Sequence, residues 1–137
     1  MNSVEIRVGP FSRGIHLITN QIQNKVQELG VKDGILFFFV LHTSAGICLN
    51  EAADPDVRHD LNEWMNRNIK ENEPYYRHTL EGPDDMPAHL KAVLTGNSLS
   101  VPLLGGNLKL GTWQGIYFCE FRNHSSARKI QLSILEA

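Results

Sequence analysis

A chain of 137 residues and 15.4 kDa has the size of one domain, and two independent cores would be hard to fit into it. Its 42% hydrophobic and 20% charged residues argue against intrinsic disorder. Thirteen basic and fifteen acidic side chains give a formal charge of −2, so no general affinity for nucleic acid or an anionic membrane is expected, although a local basic pocket is compatible with that balance.

Val4, Ile6 and Val8 alternate with Glu5 and Arg7, which predicts a half-buried opening strand ended by Gly9-Pro10. Ile18, Ile22, Val26 and Leu29 recur at helical spacing, with Thr19 as N-cap and Gly30 as the residue after the end. The β-branched and aromatic run Ile35 to Thr43 predicts a strand, and its continuity predicts burial on both faces. A turn at Ala45-Gly46 then leads into a strand over Ile47 to Asn50. Asp54 is a natural N-cap before Pro55 at the first helical position, and Val57, Leu61, Trp64, Met65 and Ile69 form one apolar stripe behind it. A shorter helix follows over Met86 to Leu94, capped by Asp84 or Asp85 and stopped by Gly96. Leu99 to Leu104, Gly115 to Arg122 and Lys129 to Leu135 read as closing strands, and 71–87 and 105–111 as ordered loops. Strands and helices do not alternate regularly. The expected fold is therefore α+β: a single domain over 1–137, with helices packed on a mixed or antiparallel, sandwich-like sheet.

Several polar groups stand in odd places. His42 shares a strand face with Phe38 and Val40, so it is either a hydrogen-bonded core histidine or a site residue at the sheet's edge. Thr43 and Ser44 follow it with Gly46, and hydroxyls with free N–H groups after a strand can bind phosphate or form a plain turn. Asn50 follows an apolar strand and is a binding candidate, whereas Asp54 and Asp56 are explained by a helix start. Asp85 and His89 lie four apart, on one helix face, where they can share a metal or where the carboxylate can orient the ring. His78, upstream on a loop, can complete such a site.

Gly106 and Gly111 have the glycine spacing of a Walker A loop, but Thr112-Trp113 stand where Lys-Ser/Thr is required, which rejects a nucleoside triphosphatase. Thr112 and Gln114 at that polar tip remain ligand candidates. Glu120 alternates onto the face of Ile116 and Phe118, either paired with Arg122 or facing a pocket near the histidines. Arg128 and Lys129 are expected to be solvated or to meet an anionic ligand, His59 to be exposed, and His16 and His124 to be peripheral.

Cys48 and Cys119, each flanked by apolar residues and without a CxxC motif, read as buried thiols in a reducing compartment. No basic segment followed by an apolar one opens the chain, and the sequon at Asn123 is best explained by chance. The longest apolar run, Ile35 to Leu41, is far shorter than the roughly 20 residues that span a bilayer. A cytoplasmic protein is expected.

In this order, the segments resemble the YjbQ family of small proteins, described as secondary thiamine-phosphate synthases. The resemblance runs almost end to end. It is carried by His42-Thr43-Ser44-Ala45, Asn50-Glu51, Ala53-Asp54-Pro55-Asp56-Val57, Tyr76, His78, Glu81-Gly82, Asp84-Asp85-Met86-Pro87-Ala88-His89 and Leu110-Gly111-Thr112-Trp113-Gln114-Gly115-Ile116. It implies a compact α+β fold, a homotrimer, and a site near subunit interfaces. It also implies condensation of hydroxymethylpyrimidine diphosphate with thiazole phosphate to give thiamine phosphate and pyrophosphate. In that setting His42, Thr43, Ser44 and Asn50 would supply donors to the anion, with Thr112 and Gln114 as further contacts. A divalent metal would sit on His78, His89 and His42, and Asp85 and Glu120 would orient those rings or ligate directly. Imidazoles suit zinc, whereas magnesium prefers oxygen. Two other classes remain: a non-catalytic protein that captures a phosphorylated metabolite or a metal, and a metal-assisted phosphate hydrolase.

Overall fold

The computed structural model describes residues 2–137. Its elements are β1 (Asn2–Val8), β2 (Gly14–Leu17), α1 (Thr19–Leu29), β3 (Gly34–Val40), β4 (Ala45–Glu51), α2 (Pro55–Asn68), α3 (Asp85–Thr95), β5 (Ser98–Leu104), β6 (Asn107–Leu108), β7 (Gln114–Glu120) and β8 (Arg128–Glu136). The strands form a five-stranded sheet in the order β1-β8-β3-β5-β6 and a three-stranded sheet in the order β2-β7-β4. Every paired strand is antiparallel, so the α+β reading holds.

Strand alternation sends one row of each sheet inward. Ile6, Val8, Leu36, Phe38, Val40, Val101, Leu103, Ile130, Leu132 and Ile134 of the large sheet meet Ala45, Ile47, Ile116 and Phe118 of the small one, together with Ile22 and Val26 of α1. The opposite face of the small sheet carries Tyr117 and Cys119, which pack with Met65 of α2 and Ala88 of α3. The helical pair thus covers a second, smaller core. Cys119 is buried and Cys48 half-buried, and both are free thiols.

The structure corrects the sequence reading in several places. β3 is buried on one face only: Ile35, Phe37, Phe39 and Leu41 are 42–49% exposed, because among the described residues nothing covers this outer face of the large sheet. Thr19 does not cap α1; its hydroxyl accepts the Ile116 N–H at 2.9 Å and so ties α1 to β7. Gly30 does end that helix in the left-handed conformation, at φ 73°. Asp54 caps α2 through the Asp56 N–H at 2.9 Å. Trp64 leaves the predicted apolar stripe and is half exposed, and Met65 alone of that helix is buried. β2 was hidden because only four residues separate Gly14 from α1, and a strand so short shows little alternation. Gly105 and Gly106, both at positive φ, make the tight turn between β5 and β6 inside the loop over 105–111.

Two features of this architecture position the polar residues. The chain crosses from the large sheet to the small one between β3 and β4, so His42, Thr43 and Ser44 form the corner between sheets and no plain turn. Gly46, at the start of β4, lets the end of α3 press close. The Ile47 N–H donates to the Gly96 carbonyl at 3.1 Å, and a Cβ on residue 46 would lie 2.9 Å from that same oxygen. Gly46→Ala is expected to destabilise the fold by about 1–3 kcal/mol through this overpacking, as read from the midpoint of urea unfolding.

Candidate functional site

α3 begins with Asp85, and the helical repeat sets His89 one turn further along on the same face. The preceding segment brings His78 to the other side, held in part by the Tyr76 hydroxyl, which donates to the Lys70 carbonyl at 2.8 Å. Asp85 Oδ2 lies 2.6 Å from His78 Nε2 and 3.0 Å from His89 Nε2. One ligand atom from each of these three residues lies within 4.8 Å of the other two. Asp85 itself is buried, His89 half-buried and His78 exposed, so the group opens toward solvent on one side.

The groups around this trio fix its orientation. His89 Nδ1 stands 2.9 Å from the Thr43 carbonyl, which can only accept, so Nδ1 carries the proton and Nε2 is the nitrogen presented to Asp85. Thr43 therefore serves the site through its backbone, while its hydroxyl is exposed. Arg122 donates to Asp85 Oδ1 through Nη1, to Asp84 Oδ2 through Nε at 2.9 Å, and to the Glu81 carbonyl through Nη2 at 3.0 Å. Asp84 also accepts the Asn123 N–H, and this explains why its side chain does not cap α3. Burial pushes the Asp85 carboxyl up, but His78, His89 and Arg122 together hold it below its ordinary value.

Glu120 is fully buried and lies elsewhere in the network. It takes the Arg128 Nε–H at 2.7 Å, the Ser125 hydroxyl at 2.6 Å and the Arg122 N–H at 3.1 Å. Arg128 Nη2 reaches the Ser44 hydroxyl at 3.0 Å. The expected Glu120–Arg122 side-chain pair is thus replaced. β7 ends at Glu120, which frees the Arg122 side chain to turn toward Asp84 and Asp85, and Arg128 is buried where solvation was expected. Burial raises the Glu120 carboxyl, and Arg128, the Ser125 hydroxyl and the Arg122 amide outweigh it, leaving a net depression.

His42 is not a member of the His78, Asp85 and His89 group. Its Nε2 accepts the Lys129 N–H at 2.8 Å, which occupies that lone pair. His42 instead lines a hollow of about 550 Å³ together with Thr43, His89, Ala92 and Val93. A second hollow of about 400 Å³ is bordered by Tyr76, His78, Pro83 and Met86. Asn50, Thr112 and Gln114 do not join either. β4 and β7 pair with Ala45 opposite Glu120 and Glu51 opposite Gln114, so Asn50 and Gln114 lie roughly 16–20 Å along the strands from that end, at the far end of the small sheet, with Thr112 just before β7. There Asn50 accepts the Glu51 N–H and Gln114 accepts the Gly111 N–H, both as local turn contacts, and Thr112 is exposed. His59 is exposed as expected, and His16 stacks on Phe11 away from the site. Arg122 and Arg128 are the site-building residues that spacing missed, because their partners lie on other elements.

Arg128→Met leaves the buried Glu120 carboxylate unpaired and is expected to cost about 3–5 kcal/mol at neutral pH. The sign of its pH dependence follows from the shift. In the wild type Glu120 is depressed, so its contribution is complete above the ordinary carboxyl range and is lost as pH falls. In the variant the unpaired carboxyl is raised by burial, and protonating it relieves the penalty. The stability gap, measured by denaturant titration, is therefore expected to narrow between about pH 7 and about pH 4.

Comparison with known proteins gives the family and the fold. The family model described as UPF0047 protein YjbQ-like matches residues 4–137. The UPF0047 protein YjbQ of Escherichia coli O157:H7 is 43% identical over 120 residues, covering 87% of this chain and 86% of that protein. Its namesake in Salmonella typhimurium is 46% identical over 119 residues, covering 86% of each. Among solved structures, the hypothetical protein APE1520 from Aeropyrum pernix K1 superposes with a TM-score of 0.88 at 30% identity over the whole of both chains. A yjbq/upf0047 family protein from Clostridium acetobutylicum gives a TM-score of 0.82 at 38% identity, covering 98% of this chain and 100% of that one. None of these names specifies a reaction.

Proposed function

The chain belongs to the UPF0047 YjbQ-like family, and from that premise we propose that it is a metal-dependent transferase acting on small phosphorylated metabolites, of the thiamine-phosphate synthase type. The observation that carries this reading is the convergence of His78, Asp85 and His89 between two hollows, one bordered by His89 and the other by His78. Two imidazoles and one carboxylate form a three-residue set of the kind that leaves coordination positions open for substrate. The donor chemistry suits zinc or a related transition metal better than magnesium. The fit is supported by His89, whose Nδ1–H is spent on the Thr43 carbonyl, so that Nε2, which meets Asp85 Oδ2 at 3.0 Å, is the nitrogen that would bind a metal.

In this reaction the thiazole nitrogen attacks the pyrimidine methylene carbon, a C–N bond forms, and the C–O bond to the diphosphate breaks with its electron pair leaving on oxygen. No proton moves in that step, so the site needs charge stabilisation and alignment more than a general base. A bound divalent metal supplies positive charge to the departing pyrophosphate. Arg122 and the Thr43 carbonyl hold the ligating side chains in place. Ala45, Ala92 and Val93 give the larger hollow apolar surface for the carbon framework of a substrate. Two hollows beside one ligand set favour joining two substrates over hydrolysing one.

The test uses purified protein of measured metal content, the two substrates, and mass spectrometry of thiamine phosphate. Wild type is expected to hold about one metal per chain and to form product; Asp85→Asn and His89→Ala are expected to lose both, and Arg122→Met to bind metal about 10–100-fold more weakly. Equal product from metal-free protein would overturn the metal. Phosphate release from one substrate alone would shift the assignment to a hydrolase, and saturable binding without turnover to a binding protein.

We also propose a homotrimer, with the stoichiometry taken from the family resemblance. Its support here is the uncovered apolar row Ile35, Phe37, Phe39 and Leu41, joined by Leu135 opposite Ile35. Phe37→Asp is expected to reduce the mass seen by light scattering from three chains to one; a wild type that is monomeric at micromolar concentration would refute the assembly. Among the described residues no helix is long and apolar enough to cross a membrane, and a cytoplasmic location is part of the same proposal.

A further inference from the structure

His42 faces the same hollow as His89, and its backbone partner determines what it can offer there. The Lys129 N–H lies 2.8 Å from His42 Nε2. An amide N–H can only donate, so Nε2 must be unprotonated, and a neutral imidazole then carries its one proton on Nδ1. An imidazolium would set two N–H groups against each other and forfeit the bond. The clamp is reciprocal: the Leu41 N–H donates to the Lys129 carbonyl at 3.1 Å, so one residue of β8 grips the chain before the ring and the ring itself. Because both contacts use the Lys129 backbone, the arrangement does not depend on the side chain at that position.

The charges around the ring act in the same direction. Burial comes first, followed by the positive charge of Arg128, and together with Lys129 they outweigh Glu120 and hold the imidazole below its ordinary value. His89, in the same hollow, also carries a proton on Nδ1, but gives it to the Thr43 carbonyl and turns Nε2 to Asp85. His89 thus turns Nε2 to the trio, while His42 keeps an unspent proton on Nδ1. Among the described residues His42 Nδ1 meets no hydrogen-bond acceptor, and Ala45, Ala92 and Val93 on the walls of the hollow carry none on their side chains.

On the metal-dependent reading given above, we propose that His42 is a neutral N–H donor that binds an anionic phosphate or diphosphate oxygen of the substrate in this hollow, and is neither a metal ligand nor a general base. A donor that stays neutral stabilises developing charge on a leaving oxygen without surrendering its proton. His42 and the metal would then grip the same anion from two sides.

The experiment uses zinc-loaded full-length protein and inorganic pyrophosphate as the probe, followed by titration calorimetry. His42→Phe is expected to retain zinc affinity and to bind pyrophosphate about 10–100-fold more weakly, the size expected for a lost hydrogen bond to a charged group. His42→Asn, whose amide can place an N–H where Nδ1 stood, is expected to recover part of that loss. Nitrogen-15 chemical shifts of the wild-type ring provide a readout that needs no variant, and they should report the Nδ1–H tautomer. Unchanged pyrophosphate affinity in a zinc-loaded His42→Phe, no pyrophosphate binding by zinc-loaded wild type, or an Nε2–H tautomer would each overturn this proposal and leave the metal assignment standing. A wild type that binds no divalent metal would overturn both.

Discussion

The buried ion pair between Glu120 and Arg128 ties the two sheets together where the chain passes from one to the other. Glu120 ends β7 of the small sheet, Arg128 begins β8 of the large one, and Arg128 also reaches Ser44 in the crossing segment. The end of β7, the start of β8 and the crossing segment are therefore fixed at one point. His42 and Thr43 lie immediately before Ser44, and Lys129 immediately after Arg128, so the pair sets the corner from which the imidazole and the carbonyl face α3. Moving it would move the Lys129 amide on His42 and the Thr43 carbonyl on His89 together.

Asp85 is the second node, and it depends on the first through two residues of chain. β7 stops at Glu120 and Arg122 swings outward, so that its guanidinium bridges Asp84, Asp85 and the Glu81 carbonyl. The start of α3 is thus held from the sheet by charge-assisted bonds, and its end by the Gly46–Gly96 approach. A helix pinned at both ends presents His89 at a fixed height above the Thr43 carbonyl. The exposed His78 is the member of the trio least restrained by the fold, because it comes from the segment between helices.

Residues whose environment is local were legible in the sequence. Asp54 caps α2 and Gly30 ends α1 because both roles depend on neighbours within four residues, and Asp85 with His89 follows from the helical repeat alone. Errors arose where a distant partner decided the outcome. Thr19 has the chemistry of an N-cap, but a strand amide 97 residues away takes its hydroxyl. Arg128 looked like a solvated strand start because nothing nearby in sequence announces Glu120 and Ser44 as partners. Asn50, Thr112 and Gln114 were grouped with the histidines on residue type and motif. The antiparallel register of β4 and β7 then sends them to the opposite end of the small sheet, a fact that exists only once the pairing is known. The continuous apolar run of β3 could not distinguish a strand covered by its own chain from one whose outer row is left open.

Stability alone does not account for the charges at the corner. Removing a carboxylate and a guanidinium from water is costly, and apolar side chains of similar volume would join the sheets at least as firmly. Apolar packing has no direction, however, and would leave the backbone N–H of Lys129 and the carbonyl of Thr43 free to rotate by small amounts about the crossing. Hydrogen bonds from Arg128 to Glu120 and Ser44 restrict that freedom, and the two imidazoles inherit the restriction, His42 held through Nε2 and His89 through Nδ1. The buried charges thus act on the site through the direction of two backbone dipoles, converting the meeting of two sheets into one fixed donor and one fixed acceptor on the wall of a single hollow.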